Sequence, residues 1–460
     1  MKMSPAKQLL LVLLIALALR LAAAGWWHGR LSGGFAFGDS GGYWALARAV
    51  AAGGPYQYGA ETKIFRTPGY PILLAPIFLV AGQEPSVFWG RALGAVFGTL
   101  SVLGVWWLAG RLFDATTGMV AAVLAAVYPG AIATSILVLS EAPFCPLMLL
   151  HLALWTAAWQ APAAGRAGAL AVLAGLAAGA GTLVRPSWLL FAPFALVIGV
   201  VFAAVHAWKG NSPILAGRSE GDSPIFAARK QAQEGDSPIF AARKSGQSPA
   251  RHLAIGLMML GGLIAAMTPW WVRNERVSGH FVATTLQVGA SLYDGLNPEA
   301  SGASDMRFVP RMADAEKADP AAAGGRPDDV FEYRLDRRMR GEALLWARRN
   351  PAAAARLAIV KLARIWNVWP NEPSLGSWPI RLAMMGSYLP VMLLALVGAW
   401  RTIGRGWPYA LCWLPAVYFT LLHVVFVGSI RYRQPAMLGL IVLAAGAALE
   451  IGRRRSDGAC

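Results

Sequence analysis

The sequence predicts an all-α integral membrane protein, and three observations lead there. Of 460 residues, 56% are hydrophobic and only 14% are charged, against roughly 25% charged in soluble domains. The apolar residues gather in about ten runs of membrane-spanning length, each roughly 17 to 23 residues. The chain also holds 19 tryptophans, which suits many helix ends at headgroup level.

The first run, 9–27, follows a basic start and closes on Trp26 and Trp27, an interfacial pair. Ala22, Ala23 and Ala24 resemble a signal-peptide cleavage site, but the length of the run favours an uncleaved anchor. Arg20, well inside it, is read as snorkelling. Residues 39–52 form an amphipathic helix with Tyr43, Leu46, Ala47 and Val50 on one face. Asp39 or Ser40 can cap it, and Gly53, Gly54 and Pro55 end it. Residues 70–81 are apolar but short for a crossing, so both segments are read as surface or half-inserted helices of the first outer loop. Spans follow at 87–109, 118–138 (bent at Pro129), 143–159, 167–184 and 187–208. After an interruption come 253–271, 380–400, 407–427 and 436–451.

The chain therefore divides into an N-terminal transmembrane core, 1–208, whose first outer loop is 28–86; a cytoplasmic insertion, 209–251; one helix, 252–271; a mixed outer segment of about a hundred residues, 272–379; and C-terminal helices with a basic tail, 380–460. In the insertion, residues 220–230 recur letter for letter as 234–244. Two short Ser/Pro/Gly-containing units suit a linker, and no chemistry is assigned to them. The outer segment shows helical patterns at 331–349 and 352–366. The second, with Leu357, Val360, Leu362 and Trp366 beside Arg356, Lys361 and Arg364, reads as interfacial.

Charge fixes an expected orientation. With the N-terminus inside, the inner loops hold Arg111, Arg166, the insertion, Arg401, Arg405 and Arg453 to Arg455, as the positive-inside rule requires. Both termini are then cytoplasmic, in the cytoplasmic (inner) membrane. The net charge of +17 is absorbed by this rule, and no basic stripe on a soluble domain points to nucleic acid. Cys145, Cys412 and Cys460 form neither a disulfide framework nor a zinc pattern.

The remaining charges near spans fall at the opposite, outer level: Asp39, Arg66, Glu141, Arg185, Arg273, Arg431 and Arg433. A charge costs about 2.5–3.5 kcal/mol at the centre of a bilayer, so their convergence suggests an acid-and-arginine site. Arginines hold a phosphate by charge-assisted bonds and stabilise it as leaving group. A carboxylate takes the proton of an incoming hydroxyl. The expected chemistry is transfer from a phosphate-linked lipid, with Asp39 and Glu141 as catalytic candidates. Arg66, Tyr43, Tyr70, Arg185, Arg273, Asn274, Arg431, Tyr432 and Arg433 are candidates for donor-phosphate or substrate binding.

Seven features, in order, carry a family resemblance. They are Asp39 and Tyr43 after the first helix; Arg66-Thr67-Pro68-Gly69-Tyr70-Pro71; Arg91-Ala92-Leu93; Leu139-Ser140-Glu141; Gly175 through Arg185-Pro186; Pro269-Trp270-Trp271-Val272-Arg273-Asn274; and Arg431-Tyr432-Arg433-Gln434-Pro435. The chain resembles membrane glycosyltransferases of GT-C architecture, chiefly bacterial members of the dolichyl-phosphate-mannose–protein mannosyltransferase family and the lipid A aminoarabinose transferases. The resemblance implies an inverting enzyme with a polyprenyl-phosphate sugar donor, an outer-face site and a lipid, protein or glycan acceptor. It makes Asp39 the catalytic acid of the first outer loop, Arg66 the holder of the donor phosphate and Glu141 a second acidic position. Many relatives carry a second acid directly after the first. Here Ser40 stands there, which removes an oxygen ligand for a divalent cation, so no metal and no cofactor is predicted. The competing reading is a lipid or polysaccharide flippase. Transporters place ionisable groups near the midplane of repeated halves, and neither feature is legible here. A structural membrane protein with an inactive site is a third.

Overall fold

The computed structural model describes residues 3–210, 249–319, 329–370 and 376–457. The repeat at 220–244 lies outside the described residues. Among them, nine helices are long and apolar enough to cross a membrane, and a bent pair makes ten if counted as one span.

Helix α1 (Pro5–Arg30) leads into α2 (Gly38–Ala51) and α3 (Gly69–Ala81), which pack on each other. Tyr43, Leu46 and Ala47 are buried on α2, the face its periodicity gives. Its cap differs from expectation. The N-cap is Phe37 and no side chain caps the helix. The Ser40 hydroxyl instead donates to Leu137 O at 3.1 Å, and the Asp39 carboxylate is engaged by arginines.

Helix α4 (Val87–Leu112) is followed by the bent pair, α5 (Ala115–Val127) and α6 (Pro129–Ile136), which meet at 57°. Pro129 lacks an N–H and cannot continue the ladder of α5, so carbonyls at the end of α5 lose their partners. Arg20 supplies them. Its side chain is 1% exposed and donates to Ala126 O at 3.0 Å and Ala125 O at 3.1 Å. Arg20 therefore does not snorkel; the helix break pulls it inward. Arg20→Leu orphans two buried carbonyls, and about 1–3 kcal/mol of stability should go with them, read as a lower unfolding temperature in detergent.

Next come α7 (Glu141–Gln160), α8 (Ala164–Val184), α9 (Phe191–Gly210) and α10 (Pro249–Ser278). Small residues let α8 and α10 approach closely. A Cβ on Gly175 would lie 1.9 Å from Met259 O, and one on Gly262 would lie 2.3 Å from Val172 O. The segment after α10 folds into α11 (Val288–Gly295), α12 (Val309–Ala318), α13 (Phe331–Arg349) and α14 (Pro351–Ile365). It has its own small core of Leu292, Tyr293, Phe308, Met312, Met339 and Ala343. Lys361 is buried and donates to Val425 O at 2.7 Å, and Arg364 donates to Gly428 O at 3.2 Å. Helices α15 (Trp378–Thr402), α16 (Trp407–Val425) and α17 (Ile430–Asp457) complete the bundle.

Charged side chains gather at both ends of the bundle. At one end Arg453 pairs with Asp114 at 2.9 Å, Arg405 with Glu450 at 3.1 Å, and Arg251 donates to Trp159 O at 3.0 Å. These contacts gather, at one level, loop residues that the charge pattern expects inside. Glu141, Arg185 and Arg431 sit at the opposite ends of their long helices, and Asp39 meets them there.

Candidate active site

Four helix termini and one loop build the site. Asp39 lies in the first turn of α2, where the helix N-terminus favours a negative charge. Glu141 opens α7, Arg185 follows the end of α8, and Arg431 opens α17. Arg66 comes from the loop between α2 and α3. Chain reversals at one end of a bundle thus bring residues far apart in sequence together.

They form a row of alternating charge: Arg66, Asp39, Arg431, Glu141, Arg185. Arg66 Nη2 is 2.6 Å from Asp39 Oδ1, and Arg431 Nη2 is 3.1 Å from Asp39 Oδ2. Arg431 Nε reaches Glu141 Oε1 at 2.5 Å, and Arg185 Nη1 reaches the same oxygen at 3.1 Å. Three cations against two anions leave the row net positive. Arg66 and Arg185 each keep a buried Nε–H without an acceptor, so the row retains capacity for an anion.

Asp39 and Glu141 are not equivalent. The Asp39 side chain is 35% exposed and lines a cavity of about 810 Å³ with Arg66, Arg431 and Tyr432. The Glu141 side chain is 1% exposed and lies outside the cavity lining. It sits behind Arg431 and positions it. Burial pushes the Asp39 carboxyl up, but Arg66 and Arg431 outweigh that and hold its pKa at about 2. Asp39 is therefore a firmly ionised, weak base.

The other expected residues divide. Tyr432 lines the cavity, under the guanidinium of Arg431 at 5.2 Å and that of Arg185 at 5.5 Å. Tyr43 lies beneath Arg66 at 5.0 Å and packs edge-on to Tyr70 at 5.1 Å, both rings outside the cavity lining. Arg433 points elsewhere. It donates to Ile365 O at 3.0 Å and Asn367 O at 2.6 Å and stacks on Tyr388 at 3.9 Å. Arg273 donates to Tyr56 O and Lys63 O, both at 2.8 Å, and so fixes the loop that carries Arg66. Asn274 is buried and donates to Val282 O at 3.1 Å. Arg433, Arg273 and Asn274 thus satisfy backbone carbonyls outside the cavity lining, whereas the sequence makes them candidates for donor-phosphate or substrate binding. Among the described residues, no three His, Cys, Asp or Glu side chains gather as a metal set.

The cavity also has lining residues that the sequence reading left out: Glu332 and Asp336 on α13, Arg364 on α14, and Gln434 on α17. A signal existed. Residues 332, 335, 336 and 339 share one helical stripe, and the acids Glu332 and Asp336 interrupt Leu335 and Met339. Burial pushes the Glu332 pKa up to about 7, against lowering by the Ile64 and Lys63 N–H groups and Arg273, while Asp336 adds to the rise. The folded value lies above the unfolded one of about 4.3, so its contribution is present below that value and is lost as pH rises through about 7. Wild-type thermal stability should fall across pH 5 to 7, and the Glu332→Gln profile should be flatter there.

A second, apolar groove of about 700 Å³ runs between α3, α4, α7 and α8, lined by Ile72, Leu100, Trp106, Leu147 and Leu150 among others. Gly69 and Val184 lie in its wall close to Arg66 and Arg185 in the chain. A Cβ on Gly69 would lie 2.7 Å from Leu183 O, so glycine is needed where α3 crosses α8.

The chain is similar to known proteins in sequence and in fold. Residues 66–217 match the family model described as dolichyl-phosphate-mannose-protein mannosyltransferase. That stretch includes Arg66, Glu141 and Arg185 and excludes Asp39 and Arg431. No curated protein matches the chain. The apo oligosaccharyltransferase of Archaeoglobus fulgidus aligns with a TM-score of 0.51 at 16% identity, over 99% of this chain and 52% of its own. The same organism's oligosaccharyltransferase AglB, in complex with an inhibitory peptide and a dolichol-phosphate, aligns with the same scores and coverage. ArnT from Cupriavidus metallidurans bound to undecaprenyl phosphate aligns at 16% identity and a TM-score of 0.39, over 96% of this chain and 77% of its own. The chain spans about half the length of the oligosaccharyltransferase it matches. It is a multi-pass, all-α membrane protein that resembles the GT-C glycosyltransferases and shares its fold with the archaeal oligosaccharyltransferase.

Proposed function

We propose that the protein is an inverting membrane glycosyltransferase that moves a sugar from a polyprenyl-phosphate donor to a hydroxyl-bearing lipid, protein or glycan. It works at the outer face of the cytoplasmic membrane, with both termini cytoplasmic. The observation that carries this reading is Asp39, held between Arg66 and Arg431 at the wall of a large cavity. The family described for residues 66–217, and a dolichol-phosphate in a structure of the same fold, support the donor class. The basic loops at the far end of the bundle support the orientation.

The donor's phosphate binds Arg66 and Arg431, with Arg185 behind, and its polyprenyl tail lies in the apolar groove. The phosphate competes with Asp39 for the same guanidinium groups. As they turn to it, the carboxylate loses the interactions that hold its pKa near 2, and its basicity rises toward the ordinary aspartate value of about 3.9. Donor binding thus arms the base. The acceptor hydroxyl attacks C1 from the face opposite the phosphate. The new C1–O bond forms as the C1–O bond to phosphate breaks, the hydroxyl proton passes to Asp39, and the electron pair leaves on polyprenyl phosphate, stabilised by arginine. Attack from the opposite face inverts the anomeric centre.

Glycolipids and glycoproteins from a strain lacking the protein test this reading by mass spectrometry. One glycoform should vanish and return with the wild-type gene; an unchanged set of glycans would overturn it. The tail assignment has its own test. Leu150→Trp narrows the groove and should raise KM for long-chain polyprenyl donors several-fold while leaving a ten-carbon donor nearly unaffected. Equal effects on both would move the tail elsewhere.

A further inference from the structure

Glu332 does two things in the structure, and only one of them is structural. Its Oε2 accepts from the backbone N–H of Lys63 at 2.7 Å and of Ile64 at 2.9 Å. These residues lie just before Phe65 and Arg66, so one carboxylate oxygen fastens the Arg66 loop to α13. Its Oε1 is buried and has no hydrogen-bond partner. The residue is 5% exposed and lines the same cavity as Asp39 and Arg66.

The neighbouring acid sharpens the contrast. Asp336, one turn further along α13, also lines the cavity, and both of its oxygens are used. Oδ1 accepts from Gly289 N–H at 2.6 Å, and Oδ2 pairs with Arg340. Asp336 is a structural carboxylate, complete as it stands. Glu332 is incomplete, and a buried acceptor left without a donor is costly, more so where it is charged. That cost is recovered when a donor arrives through the cavity. While Glu332 is ionised, an ionised phosphate cannot be that donor, because it only accepts. A sugar hydroxyl can.

We propose that Glu332 is a substrate-contacting residue whose Oε1 accepts a hydrogen bond from a sugar hydroxyl in the cavity. Its other oxygen keeps Arg66 in place. The proposal rests on the glycosyltransferase reading and deepens it, because it assigns the α13 side of the cavity to sugar recognition and the Asp39 side to the phosphate and the proton. The hydroxyl belongs either to the transferred sugar or to a sugar acceptor, and the experiment separates the two.

The full chain in detergent is assayed as wild type, Glu332→Gln and Glu332→Ala. The probes are undecaprenyl phosphate, undecaprenyl phosphomannose, undecaprenyl phosphoglucose and methyl glycosides as soluble acceptors. Glutamine keeps an oxygen for the Lys63 and Ile64 N–H groups but turns the free atom into a donor. Glu332→Gln should therefore bind undecaprenyl phosphate as wild type does. If the donor sugar is the source, its affinity for the sugar-bearing lipid falls about tenfold or more. If the acceptor is the source, the loss appears as a similar rise in KM for the methyl glycoside. Glu332→Ala should show the same loss with a lower unfolding temperature. Unchanged values on both sugar arms in Glu332→Gln, with wild-type transfer intact, would overturn the role of Glu332 and leave the transferase reading standing. No transfer by the wild type with any probe, and no binding preference for sugar-bearing over bare lipid, would overturn both. Should Glu332→Gln fail to fold, carbodiimide labelling of the wild type decides. Bound undecaprenyl phosphomannose or methyl glycoside should shield Glu332 several-fold, and unshielded labelling with both contradicts the contact.

Discussion

Asp39→Asn should lower sugar transfer by about 10² to 10⁴-fold, the usual contribution of a positioned general base. It should bind undecaprenyl phosphate at least as tightly as the wild type. The second result distinguishes this mechanism from simple damage. In the proposed mechanism Asp39 and the donor phosphate compete for Arg66 and Arg431, whose contacts with Asp39 are 2.6 and 3.1 Å. Asparagine is neutral and leaves both guanidinium groups to the ligand. Isothermal titration with the lipid phosphate and single-turnover transfer, on one preparation, read both numbers. Weaker binding together with lost transfer would mean that Asp39 only shapes the site. Unimpaired transfer would remove it from the chemistry.

Arg431→Lys should be nearly as damaging as Arg431→Ala. Arg431 uses two different nitrogens, Nε for Glu141 and Nη2 for Asp39, with its guanidinium 5.2 Å from the Tyr432 ring centre and 5.5 Å from that of Phe37. A lysine ammonium is a single point and cannot span two carboxylates in this fork geometry. Glu141 is almost wholly buried and would keep Arg185 as its one cationic partner. Breaking a buried pair costs about 3–5 kcal/mol, so thermal stability should fall clearly for Arg431→Ala and for Glu141→Ala. In the double variant neither partner is stranded, and its loss should be smaller than the sum. An additive double variant would show that the row is not one unit. Transfer should be lost in all of them, because each disturbs Arg431, the group proposed to face the phosphate.

Much of this molecule is written in its hydropathy. A span must satisfy its own backbone and present apolar side chains to lipid, so each run of that length declares itself, down to the bend at Pro129. The level of Asp39, Glu141, Arg185 and Arg431 was legible because charges at span ends are sparse. What was not legible is direction. Arg431 and Arg433 are two residues apart, yet one faces the cavity and the other binds Ile365 O and Asn367 O. A helix turns about 100° per residue, so the two point to opposite sides, and no pattern in the sequence says which side is the cavity. Arg20 was misread because the carbonyls it serves come from a break some hundred residues away. Glu332 was missed because α13 looks like an ordinary charged amphipathic helix until its partners at Lys63 and Ile64 are seen.

The most direct measurement follows a radiolabelled sugar on undecaprenyl phosphate, with the purified protein in vesicles and an envelope extract as acceptor. The account predicts that label leaves the lipid for the acceptor with inverted anomeric configuration, that free undecaprenyl phosphate accumulates in equal amount, and that Asp39→Asn stops both. Label that crosses the bilayer while still attached to its lipid, with no transfer, would contradict the account and make the protein a flippase.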